Sequence, residues 1–214
     1  MLQKETVSKA TLELLKSLMD FSQLKDFFLV GGTALSLQIG HRISIDIDLF
    51  SLNSFDDESL LAQMEKEFCF VLDFRAANTL KGEIDGIKVD LITHGYPLVK
   101  PLLLFEGIRV CSLEDIAAMK LNAISGNGTR LKDFTDIAYL SSYLTLTQMM
   151  NAYREKYTAR NPAIVVKSLV YHQDIDFNEP IEIAHGKFQW KTIEKRLLQM
   201  AKSPGILFEP MKLI

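Results

Sequence analysis

Asp46 and Asp48 stand two residues apart in the run RISIDIDLF. Ile43, Ile45, Ile47 and Leu49 alternate there with Arg42, Ser44, Asp46 and Asp48, the period of two that a strand imposes. The alternation predicts one apolar face and one face that carries both carboxylates. Their Cα atoms would lie about 6 to 7 Å apart at a strand's usual rise per residue. Two carboxylates that close repel by roughly 2 to 3 kcal/mol at an effective dielectric near 20. A divalent cation reverses the sign of that term, since Mg²⁺ takes oxygen ligands and is usually held by one or two carboxylates plus substrate phosphates.

A glycine pair precedes this run. Gly31 and Gly32 follow the apolar stretch Phe27 to Val30, and Thr33 opens a short helical stretch from Ala34 to Gln38. Glycine lets the backbone approach a ligand closely, and the free N–H groups at a helix start favour anions. A phosphate beside the cation is the expectation. A third acid, Asp90, lies on the second arm of a predicted hairpin, TLKGEIDGIKVDLIT, whose arms are joined by Asp85-Gly86, a dipeptide favoured in two-residue turns. An unpaired charge amid that apolar run would be expensive. If this strand neighbours Ile43 to Phe50, three acids converge as two-metal phosphoryl transfer requires.

The elements that must position these residues follow from periodicity and capping. Leucines at 12, 14, 15 and 18 predict an amphipathic lead-in helix within residues 6 to 21. Asn53 to Asp57 can cap a helix through Leu60, Leu61, Met64 and Phe68, and a strand is expected near Cys69 to Phe74. From Ser112 the pattern turns helical, opening on a Ser112/Asp115 capping box and ending at Gly126. A second helix is expected from about Thr129, and others at 147 to 157, 163 to 173 and 190 to 201. The natural boundary falls near Val110.

Composition narrows the class. The chain has 214 residues, 48% apolar and 24% charged, as in an ordinary globular protein. Its net charge of -3 argues against a generally basic nucleic-acid binder. Residues 1 to 100 hold the excess of acids and the second half a slight excess of bases. The N-terminal run lacks the unbroken apolar core of a signal peptide, and no apolar stretch is long enough to span a membrane. Cys69 and Cys111 lack metal-ligand spacing, so two reduced, buried thiols in a cytoplasmic protein are the expectation.

The motifs GGT, RISIDID, VDLI, a helical K-x-x-A and KDFTDI, spread over roughly residues 28 to 140, together resemble the AbiEii/AbiGii toxin family of nucleotidyltransferases, in the polymerase-β-like superfamily. The resemblance implies an α+β fold: a small mixed-sheet nucleotidyltransferase core flanked by helices (residues 1–110), then a C-terminal helical domain (111–214) completing the nucleotide and acceptor site. It implies that Gly31, Gly32 and Thr33 bind the triphosphate, with Arg42 and Ser44 as further nucleotide-binding candidates. Asp46, Asp48 and Asp90 would hold a two-ion Mg²⁺ site, with Asp90 assisting deprotonation of the attacking hydroxyl. Lys120 would contact the nucleotide phosphates, and Asp133 would be the essential acid of the second domain. The implied reaction transfers a nucleoside monophosphate from an NTP to an acceptor hydroxyl on RNA, in several relatives the tRNA 3′ end, as the toxin of a pair whose other half is an antitoxin protein. Nucleotidylation of a small molecule or protein, and a non-catalytic nucleotide-binding module, are the alternatives. Lys132 stands where the family pattern carries arginine, a point charge in place of a planar fork.

Overall fold

The computed structural model describes residues 2–158 and 161–211. The chain forms two compact units: one takes the chain up to Gly40, Ser44–Pro97 and Pro101–Cys111, and the other His41–Ile43, Leu98–Lys100 and the chain from Ser112 on.

The first unit is built on a seven-stranded mixed sheet: β1 (Phe28–Val30), β2 (Ile47–Ser51), β3 (Val71–Ala76), β4 (Thr79–Ile84), β5 (Ile87–Thr93), β6 (Leu103–Phe105) and β7 (Ile108–Val110). They are ordered β3-β4-β5-β2-β1-β7-β6. β2 runs parallel to β5, and β1 parallel to β7; the other neighbours are antiparallel. Helices α1 (Lys9–Asp20), α2 (Gly31–Ile39) and α3 (Asp57–Phe68) belong to this unit. Ser8 caps α1, and the Asp56 carboxylate accepts from the first backbone N–H groups of α3. Leu29, Leu49, Val89, Leu91 and Val110 are fully buried along the sheet. The hairpin turn has positive φ at both Asp85 (50°) and Gly86 (76°), which matches the right-handed twist of the flanking strands. Glu106 (50°) and Gly107 (86°) repeat it between β6 and β7, two strands the sequence pattern did not reveal.

Two expectations are corrected here. The strand carrying Asp48 begins only at Ile47, and the predicted alternation fails upstream, where Ile45 is 63% exposed while Arg42 and Ser44 are buried. Arg42 and Ser44 turn inwards because each has a polar partner there, which leaves Ile45 facing solvent. Both cysteines are free thiols, and only Cys111 is buried; Cys69, in the left-handed conformation at the end of α3, is exposed.

The second unit is helical: α4 (Leu113–Gly126), α5 (Leu131–Leu140), α6 (Leu146–Lys156), α7 (Pro162–Leu169) and α8 (Trp190–Lys202). Helix α4 packs on α5, α6 and α7. Its first turn is anchored by the buried Asp115 carboxylate, which accepts from Ser112 Oγ (2.7 Å), Lys156 Nζ (2.8 Å) and the backbone N–H groups of Val99 and Lys100 (3.0 and 3.1 Å). Helix α7 stops four residues short of the expected end, where the His172 ring nitrogen lies 3.0 Å from the Leu169 carbonyl oxygen and takes up one of the orphan acceptors of a helix end.

Candidate active site

Two of the three strand carboxylates are brought together by register. Asp48 pairs directly with Asp90 across the parallel β2–β5 ladder, so the two side chains share a face of the sheet about 5 Å apart. Burial confirms the face: Ile47, Leu49 and Ser51 point into the core, while Asp48 and Phe50 on the other side are half-buried. On the far side of β5, Lys81 of β4 pairs with Asp90, and its Nζ donates to Asp90 Oδ2 at 2.7 Å. The sheet thus presents a row of acid, acid and base.

The glycine turn rises beside Asp48. Val30 pairs with Asp48, and α2 starts at the next residue. Gly31 takes φ +71°, and a Cβ there would run into the Asp48 carboxylate, with Cγ at 3.0 Å. Only glycine permits both the backbone conformation and the approach. Val30, at the N-cap, has no polar side chain, so the N–H groups of Gly31, Gly32 and Thr33 lack the usual capping acceptor. The Thr33 hydroxyl is committed inwards: it donates to the Asp46 carbonyl oxygen and lies 2.9 Å from Ser44 Oγ. Thr33 therefore offers a ligand its backbone, while its side chain fixes the segment that leads into β2. Asp46 lies one residue before β2 and is half-buried.

Arg42, Lys120 and Asp133 lie in the helical unit, in a buried cluster centred on Asp136. Asp136 Oδ1 accepts from Arg42 Nε (2.7 Å) and pairs with His41 Nε2 (2.8 Å); Oδ2 accepts from Arg42 Nη2 (3.1 Å) and lies 2.8 Å from Lys120 Nζ. Lys120 Nζ also donates to Asp133 Oδ1 at 2.6 Å. Burial opposes the charge on Asp136, yet Arg42 and Lys120 outweigh it and hold the carboxyl well below its usual range. Burial likewise opposes the Lys120 charge, and Asp133 and Asp136 raise its pKa regardless. His41, fully buried, is pushed below the ordinary histidine value by desolvation despite Asp136. With His41 neutral, two cations meet two anions. In this structure Arg42, Ser44 and Lys120 are buried and pair internally, with Asp136, Thr33 and the two aspartates respectively, and Lys132, for its part, lies 3.4 Å from Glu179. Sequence reasoning missed Asp136 and His41. Asp136 follows Asp133 by three positions, one turn along the same helical face, and His41 directly precedes Arg42; those spacings were the available signals.

Among the described residues no three histidine, cysteine or acidic side chains gather closely enough to hold a metal ion together, so Asp46 does not join Asp48 and Asp90 in the expected three-acid cluster. A pair of facing carboxylates is nonetheless the donor set that Mg²⁺ takes when substrate phosphates supply the remaining oxygens. Asp48 and Asp90 fit that requirement, and the α2 start places backbone N–H donors for those phosphates beside Asp48.

The fold is that of a nucleotidyltransferase. The family model of the nucleotidyl transferase AbiEii toxin of type IV toxin–antitoxin systems matches residues 13–206, and the chain belongs to that family. An uncharacterized protein of Aquifex aeolicus (strain VF5) is 34% identical over 174 residues, covering 78% of this chain and 84% of its own. Two Helicobacter pylori structures share the fold at 18% identity: a candidate nucleotidyltransferase (TM-score 0.54, covering 91% of this chain and 94% of that one) and JHP933 (0.52, with 92% of each). No helix among the described residues is long and apolar enough to cross a membrane.

Proposed function

We propose that this nucleotidyltransferase moves a nucleoside monophosphate from an NTP to the 3′ hydroxyl of an RNA acceptor, with tRNA as the leading substrate and Mg²⁺ as the metal, and that its toxicity is countered by a cognate antitoxin. The observation that carries the reading is the direct pairing of Asp48 with Asp90 beside the Gly31 turn. The N–H groups of Gly31, Gly32 and Thr33 bind the β- and γ-phosphates at the helix start. Asp48 and Asp90 would hold Mg²⁺, which when bound would neutralise phosphate charge in the transition state, while Asp46 precedes the strand and does not complete a three-carboxylate set. Asp90 takes the hydroxyl proton; the acceptor oxygen bonds to the α-phosphorus as the α–β anhydride bond breaks, and the electron pair leaves with pyrophosphate. The Asp136 cluster holds His41 to Ile43, the segment from which the chain runs on to the carboxylates.

Incubation with each labelled NTP and deproteinised total tRNA tests the reading. Label is expected on RNA, with loss of the signal in Asp48→Ala. Label on a protein or a soluble metabolite, no transfer at all, or transfer that survives the substitution rejects it.

A further inference from the structure

Two residues beyond Asp48, on the same face of β2, Phe50 forms the foot of a row of rings. His94 stacks on Phe50, with centroids 5.1 Å apart and planes at 30°, and Tyr96 follows His94 at 4.8 Å and 46°. Backbone bonds fix the row: the His94 N–H donates to the Ser51 carbonyl (2.8 Å), and the Tyr96 N–H to that of His94 (2.7 Å). Tyr96 is 39% exposed, and Gly95 between the two rings adds no bulk; a Cβ there would meet nothing nearer than the Leu52 carbonyl at 3.9 Å. Rings that serve as packing anchors in this chain look different. Tyr153 and Tyr157 are almost wholly buried, and Trp190 meets Phe134, His172 and Phe177 edge to face.

The place of the row along the strand is informative. Because β1 runs antiparallel to β2, with Val30 opposite Asp48 and Phe28 opposite Phe50, the glycine turn sits at the Asp48 end. Phe50 lies about 7 Å further along, on the other side of Asp48 from the turn. In-line displacement puts the attacking and leaving oxygens on opposite sides of the phosphorus. With the departing pyrophosphate on the glycine turn, the acceptor arrives from the side of Phe50.

We infer that the Phe50–His94–Tyr96 row is the stacking platform for the terminal base of a single-stranded acceptor; the assignment to the acceptor side rests on the function proposed above. Stacking suits this task, since every base has a π-face and single-stranded ends present theirs unpaired.

Tyr96→Ala, His94→Ala and the conservative Tyr96→Phe test it with two readouts. A short single-stranded oligoribonucleotide ending in 2-aminopurine reports stacking by fluorescence quenching, without turnover. Quenching by the wild type is expected, with affinity about five- to 150-fold weaker in Tyr96→Ala, the range of one lost base–aromatic stack, and retained in Tyr96→Phe. In transfer assays the KM for total tRNA should rise by a similar factor, while calorimetric binding of the NTP with Mg²⁺ stays unchanged. Absence of quenching in the wild type, equal quenching in Tyr96→Ala, or NTP affinity that falls in step with the oligonucleotide overturns the inference. Quenching that depends on Tyr96 without label transfer to any RNA would instead reject the proposed reaction and leave the row as a nucleic-acid site.

Discussion

Asp48 and Asp90 face each other across the one parallel pair that joins the two carboxylate-bearing strands, and Lys81 faces Asp90 from the opposite neighbour. Lys81 pairs with Asp90, and the two facing carboxylates, about 5 Å apart, repel each other when no cation lies between them. Replacing either carboxylate with its amide removes a repulsion from the folded protein while keeping shape. Asp90→Asn also gives up the Lys81 pair, so both Asp48→Asn and Asp90→Asn are expected to melt close to the wild-type temperature without divalent cations, and to lose the stabilisation that Mg²⁺ and NTP give the wild type. Transfer rates should fall by about two orders of magnitude, the scale seen when one preorganised electrostatic group is removed. Thermal melts with and without Mg²⁺, beside initial rates, check both.

Lys81 competes with any cation for Asp90. Its Nζ lies 2.7 Å from Asp90 Oδ2, and its side chain is 43% exposed. Pairs this open to solvent contribute no more than ~1 kcal/mol. Lys81→Ala is therefore expected to strengthen Mn²⁺ or Mg²⁺ binding by up to about fivefold, read by calorimetry in the absence of nucleotide. Weaker binding would show that Lys81 shapes the site instead of competing for it.

Gly31 bears two constraints at once. An alanine there pays for a left-handed φ, about 1 to 2 kcal/mol, and its Cβ must displace the Asp48 carboxylate. Gly31→Ala should lower the denaturation midpoint and abolish metal-dependent transfer together. Gly86→Ala, at φ +76° with nothing near the added Cβ, carries the backbone cost alone and should lower stability while sparing transfer.

The hairpin and the helix starts were legible in the sequence because each follows from local rules, a two-residue turn and side-chain caps, whereas the pairing of Asp48 with Asp90 depends on β2 and β5 being neighbours, which the sequence could pose only as a condition. Ile45 shows where such rules stop. Its place in a regular alternation predicted burial, yet buried partners for Arg42 and Ser44, supplied from residues distant in the chain, invert the pattern around it. Lys120 was legible as a charged residue at mid-helix, but its two aspartate partners depend on how α4 and α5 pack, which no spacing within α4 encodes. His41 and Asp136 escaped for the same reason, being 95 positions apart. β6 and β7 were missed because strands of three residues are too short for a periodic signal, although Glu106-Gly107 marked the turn between them.

The Asp136 cluster sets how the protein responds to mutation and to acid. Asp136→Ala leaves the Arg42 and Lys120 charges buried and should cost about 3 to 5 kcal/mol. Asp133→Ala should cost less, since Lys120 keeps Asp136 and Arg42 is untouched. Burial keeps the His41 pKa below its ordinary 6.5, so in mild acid the unfolded chain takes up a proton that the folded one refuses. Stability must then fall as pH drops through about 6.5 towards the lower folded value. Asp136 adds stability that is full above its unfolded value near 3.8 and is lost only as pH falls through its much lower folded value. Denaturant melts from about pH 7 to about pH 5 should therefore show stability declining while Asp136 stays ionised. His41→Gln, which cannot take the proton, should flatten that decline; an unchanged slope would show that His41 is not its source.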